Sequence, residues 1–107
     1  MATTDIVGGV EYEFGAQVRL SITVKQSGSL LDPSGEITII IEEPDGTETT
    51  EIYDNGNGNV QRSDVGAYYY DWTISKVGIH EYRWKTASPI GVRESYFVAL
   101  ASRVANP

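Results

Sequence analysis

Asp64-Val65-Gly66-Ala67-Tyr68-Tyr69-Tyr70-Asp71-Trp72-Thr73-Ile74-Ser75-Lys76-Val77-Gly78-Ile79-His80-Glu81-Tyr82-Arg83-Trp84 is the stretch that decides the fold. It holds two aromatic runs, each entered through a glycine turn: Asp64-Val65-Gly66 before the first, Lys76-Val77-Gly78 before the second. Side chains of an extended chain alternate between faces. Period two therefore gathers Tyr68, Tyr70, Trp72 and Ile74 on one face of the first run, and His80, Tyr82 and Trp84 on one face of the second. These two rows carry enough side-chain mass to form facing walls of a core.

The same alternation extends outward in both directions. From Gln17 to Lys25, Val18, Leu20, Ile22 and Val24 point one way and polar residues the other, which predicts a half-buried strand. Ile6 to Phe14 reads as a weaker first strand, broken by Gly8-Gly9. Ser27 to Gly35 is predicted to be a loop. Glu36 to Glu42 is a strand with Ile37, Ile39 and Ile41 inward and Ile40 outward. Glu43-Pro44-Asp45-Gly46 has the residues of a tight turn, because proline presets φ and glycine accepts a positive one. Thr47 to Tyr53 returns as a solvated edge strand, Asp54 to Asn59 is turn-forming, and Val60 to Arg62 is a brief strand. After the aromatic pair, Ala87 to Gly91 reads as a loop. Val92 to Leu100 is the last strand, with Tyr96, Val98 and Leu100 inward and Arg93, Ser95 and Phe97 outward. Residues 1–5 and 101–107 are expected to be tails of a single domain spanning 1–107. No segment has helical spacing, and no repeat is visible. Turn signals recur every 8–12 residues or so, the mark of an antiparallel sandwich or barrel.

Composition narrows the function. The net charge is −7, with eight basic residues scattered among fifteen acidic ones. Duplex or anionic-membrane binding needs clustered cations, so neither nucleic acid nor membrane is an expected partner. Without cysteine there is no disulfide, thiolate metal site or cysteine nucleophile. The first ten residues lack the basic head and apolar run of a signal peptide.

Single residues offer little chemistry. His80, the one histidine, would have to serve any Ser-His-Asp arrangement, with Ser75 or Ser95 as nucleophile, yet no G-x-S-x-G elbow occurs. It reads as a structural histidine on a core face. Glu42-Glu43 and Glu48-Glu51 are acidic enough to suggest a glycosidase pair, but they fall on a hairpin that reads as exposed, where charge protects a sheet edge. Asp54-Asn55-Gly56-Asn57-Gly58-Asn59 is rich in oxygen ligands but lacks calcium-loop spacing, and Asn-Gly favours a hairpin turn. The tyrosines are expected in the core, with only Tyr69 and Tyr53 outside. No catalytic residue, metal site or cofactor is assigned, and the chain is not expected to be an enzyme.

The run Gly-x-Tyr-x-Tyr-x-Trp, turn, Gly-x-x-x-Tyr-x-Trp, loop, apolar strand resembles the last three strands of an immunoglobulin-like β-sandwich without a disulfide. Phe14-Gly15-Ala16-Gln17-Val18, Glu43-Pro44-Asp45-Gly46-Thr47 and Val65-Gly66-Ala67-Tyr68-Tyr69-Tyr70-Asp71, with Tyr82-Arg83-Trp84, resemble small single-domain proteins encoded among the structural genes of tailed bacteriophages. The likeness covers roughly residues 12 to 100. It departs at His80, where an aromatic residue is expected. It implies an all-β, immunoglobulin-like antiparallel sandwich of about seven strands. It also implies a virion component, namely capsid decoration, neck or tail, made in the host cytoplasm and bound to other virion proteins or to copies of itself. A carbohydrate-binding or adhesion module is the alternative reading and a small hydrolase the third. In such a sandwich the third, sixth and seventh strands share a sheet, which would place Ile40, Ile79 and Phe97 on one outer face with Arg83 among them. This face is the expected protein-binding surface.

Overall fold

The computed structural model describes residues 10–101, and the expected tails, with the Ile6–Gly9 part of the first strand, lie outside them. Strands form wherever alternation was strongest. They are β1 (Val10–Glu13), β2 (Gln17–Thr23), β3 (Lys25–Gln26), β4 (Ser29–Leu30), β5 (Ser34–Glu42), β6 (Glu48–Tyr53), β7 (Gln61–Asp64), β8 (Ala67–Thr73), β9 (Gly78–Ser88) and β10 (Ile90–Leu100). No helix occurs among the described residues. The count exceeds the expected seven or so because a small β3–β4 ribbon forms from the end of the expected Gln17–Lys25 strand and the first part of the Ser27–Gly35 loop, while the brief strand expected at Val60–Arg62 forms as β7.

One sheet has the order β1-β10-β9-β5-β6 and the other β2-β8-β7. The chain passes between them at β1–β2, from β2 to β5 by way of the β3–β4 ribbon, at β6–β7 and at β8–β9, the connectivity of an immunoglobulin-like sandwich. One pair departs from the antiparallel expectation: β1 runs parallel to the end of β10, with Val10 beside Phe97 and Glu13 beside Leu100.

The two aromatic runs face each other from opposite sheets. Val18, Leu20, Val24, Tyr68 and Ile74 come from one side, and Ile37, Ile39, Ile41, His80 and Trp84 from the other; all are buried. Tyr12, Ile22, Tyr53, Tyr70, Trp72 and Tyr82 pack around them. Tyr53, expected outside, lies against Tyr68 at 5.1 Å between ring centroids, because β6 turns that side of its chain inward beside Ile37.

The last strand is the main correction. Phe97 is 2% exposed and stacks on His80, with ring centroids 4.7 Å apart and an 11° interplanar angle. Ala99 is buried as well, whereas Tyr96 and Leu100 are exposed. The cause is the length of one turn. β9 continues to Ser88 and β10 starts at Ile90, so Ala87 pairs with Ile90 and Trp84 with Arg93. The expected loop, Ala87 to Gly91, would instead have paired Thr86 with Val92. That offset of one residue exchanges the two faces of the whole strand.

Beneath the β7–β8 turn the core is tied to the loop that follows the ribbon. Asp32 accepts hydrogen bonds from Arg62 (3.2 and 3.0 Å), the Gly66 amide (2.8 Å) and the Tyr68 hydroxyl (2.8 Å). Gly66 is held at φ 69°, and a Cβ there would sit 2.7 Å from the Val24 carbonyl oxygen, so this approach requires glycine. The Arg62 guanidinium, and then the Gly66 and Tyr68 donors, hold the Asp32 carboxyl well below the usual range. Burial, reinforced by Asp32, pushes the Tyr68 phenol up to about 12.

Candidate protein-interaction surface

β9 fixes the outer face of the large sheet, because Trp84 and His80 commit their side of the strand to the core. Ile79, Glu81, Arg83 and Lys85 therefore point outward. Pairing brings Ile40 of β5 beside Arg83, as the sequence suggested. Ile79 lies further along the same face of β9 and is 57% exposed. Phe97 does not join them, being sealed in the core on the opposite face. An acidic substitution there would break the fold rather than probe a surface.

The residues brought beside Ile79 are those of β10 that sequence reasoning assigned to the core. Val98 pairs directly with Ile79, flanked by Tyr96, 40% exposed, and Leu100, 38% exposed. These four form a continuous apolar strip, bordered by Glu11 and Glu13 of β1 and by Glu81 of β9. The signal is present in the sequence, where Tyr96, Val98 and Leu100 alternate as one set, but alternation does not say which face of the strand is buried.

Next to the strip the outer face becomes acidic. Glu42 stands opposite Glu48 on β6 and Glu81 on β9. With Ile40, Arg83 and Glu94 they line a shallow depression of about 330 Å³. Arg83 is the cation there, and its Nε donates to Glu94 at 2.6 Å. Glu43, expected to be exposed, is only 8% exposed. The Lys76 ammonium reaches across from the β8–β9 connection and donates to Glu43 at 3.3 Å and to Asp45 at 2.8 Å. Lys76, together with the Thr47 amide, holds the Asp45 carboxyl well below its usual range. Glu43 and Asp45 thus fasten the β5–β6 turn to the next connection.

The other candidates take structural places. His80 is fully buried; its Nδ1–H donates to the Gly78 carbonyl at 3.2 Å, and Nε2 has no partner among the described residues. Asp54 and Asn57 exchange backbone hydrogen bonds of 3.0 and 2.9 Å around Asn55 and Gly56, both at positive φ, which makes an Asn-Gly hairpin turn. Asn59 donates to Glu51. Among the described residues no three His, Cys, Asp or Glu side chains are grouped so as to hold a metal ion. Set beside known proteins, the chain matches no family model and no curated sequence.

Proposed function

We propose that the chain is a non-enzymatic binding domain that works by protein–protein contact, and within that class a structural component of a tailed-phage particle: capsid decoration, neck or tail. The observation that supports contact is the strip Ile79, Tyr96, Val98 and Leu100, four adjacent apolar side chains on the face of the large sheet that the core does not use. Isolated exposed apolar residues are ordinary, whereas a contiguous strip with a charged border has the composition of an interface centre and its rim. The phage assignment rests on the resemblance of the turn and aromatic motifs. Partners on this reading are other virion proteins or further copies of the chain. Its location is the virion, after a period in the host cytoplasm.

The test is the double variant Ile79→Asp, Leu100→Asp. Both side chains point away from the core, so the melting temperature should stay within a few degrees of wild type. Incorporation into particles, or self-association followed by sedimentation, should be lost. A double variant that folds and still assembles at full occupancy would remove this strip from the contact surface.

A further inference from the structure

The apolar strip of the large sheet lies between two carboxylate borders. Tyr12 turns inward to Phe97, so Glu11 and Glu13 point outward, beside Val98 and Leu100. On the other side Glu81 stands beside Tyr96, followed by Glu42 of β5 and Glu48 of β6, three carboxylates in one rank across three strands. Like charges directly opposite each other destabilise a sheet. No ion pair among the described residues relieves Glu11, Glu13, Glu42, Glu48 or Glu81. The cations of this face stand apart from the strip: Arg83 is bound to Glu94, and Lys85 lies beside Val92. The excess of acid is local. On the outer face of β2 and β8 the charged residues are Arg19 and Asp71, bonded to each other beside uncharged Ser21, Tyr69 and Thr73.

The backbone here offers a partner nothing. From Phe97 to Ala99 β10 is paired on both sides, with β1 and with β9, so an occupant must lie across the side chains instead of extending the sheet. An apolar sheet face is covered by a second layer, either a helix or another sheet. At about 3.3 Å per residue Tyr96 to Leu100 spans roughly 13 Å, the length of about nine helical residues, and the two strands that carry the strip are together about as wide as one helix. A second copy matches the apolar centre but not its borders, because strip set on strip lays carboxylates against carboxylates and costs affinity. A helix with an apolar stripe and cations on both flanks answers both features. Lysine and arginine stems cover apolar surface while their heads reach outward to the acids.

Resting on the reading of the strip as a contact surface, we infer that its occupant is a basic amphipathic helix of another protein and not a second copy of this chain. The apolar stripe of the helix would lie on Ile79, Tyr96, Val98 and Leu100. Cations on one flank would meet Glu11 and Glu13, and those on the other Glu81 and Glu42. Opposite charges of this kind speed association, and added salt screens them.

The test uses the full chain and two capped peptides of about 18 residues, long enough to hold a helix, with leucine at helical spacing on one face and either lysine or glutamate on the flanks. Anisotropy of a label on the peptide reads binding, and hydroxyl-radical footprinting of Tyr96 reads its place. The lysine peptide should bind saturably, protect Tyr96 and weaken as salt rises; the glutamate peptide should not bind. Ile79→Asp with Leu100→Asp should weaken the lysine peptide by at least about tenfold although the pair adds two carboxylates, which separates the strip from bulk charge. Glu11→Lys with Glu81→Lys should weaken it by about tenfold and gives a second reading should the aspartate pair melt early. The same change of charge at Glu36 and Asp64, at the other end of the molecule, should matter far less. No saturable binding, equal binding of both peptides, full binding by the aspartate pair, or equal losses from near and remote reversals would overturn the proposal. So would a chain that pairs with itself through the strip, or a Tyr96 already protected in the free monomer; the occupant would then be a second copy or a part of the same chain. If particle incorporation needs the strip while the lysine peptide fails to bind, the contact surface stands and only the partner's chemistry falls.

Discussion

His80 and Phe97 show what one residue position decides. The imidazole is packed flat against the phenyl ring, with one nitrogen bonded and the other bare. A buried acceptor without a donor costs stability, while an apolar ring of similar outline carries no such cost. His80→Phe should therefore fold with a melting temperature equal to or above wild type, measured by thermal or urea denaturation. Phe97→Ala should lose about 3–5 kcal/mol in the same measurement, since it empties the space between Tyr12, His80 and Tyr82. A Phe97→Ala protein with near wild-type stability would put the strand back in the opposite phase. The inward side of His80 was legible, because Trp84 lies four residues away on the same strand. That of Phe97 was not, because Tyr96, Val98 and Leu100 outnumber Phe97 and Ala99, and counting apolar residues chose the larger set.

Among elements, β9 and β10 show where sequence reasoning stops. Alternation gives each strand two faces but does not say which one is buried; the turn joining it to a known strand does. The Ser88-Pro89 corner is shorter than its surroundings suggested, and the candidate surface moved with it. The turns at Glu43–Gly46 and Asn55–Gly56 were legible because their residues demand special backbone angles. The contacts made by Asp32 were not, since they join a loop to strands far along the chain, and they set the response to acid. The carboxyls of Asp32, Asp45 and Asp71 are all held below their usual range, by Arg62, Lys76 and Arg19 respectively. A depressed folded-state pKa gives stability that is complete above the unfolded value of about 4 and is lost as pH falls through the folded one. Melting temperature should thus decline steadily below about pH 4. Asp32→Asn should begin lower at neutral pH and decline less steeply, and a variant with the same acid slope as wild type would show that this carboxylate is not a source of it.

For the whole molecule, an all-β sandwich was legible from spacing and aromatic rows, because half-buried sheets leave a local periodic trace. Partner choice between distant strands leaves none, which is why the parallel alignment of β1 with β10 was not foreseen. That alignment has a consequence in time. Val10 meets Phe97 only after nearly all the intervening chain has been placed, and closing so large a loop is unfavourable until other contacts support it. The β9–β10 hairpin is local and available early, whereas β1 can add only to a finished edge. Refolding should fall in the millisecond-to-second range typical of such topologies. Tyr12, whose ring stands edge-on to Phe97 at 5.8 Å, then forms its contacts after the rate-limiting step. In stopped-flow experiments Tyr12→Ala should speed unfolding and leave the folding rate nearly unchanged. The first described strand of the sequence would be the last to arrive, and its departure would set how long the native state survives.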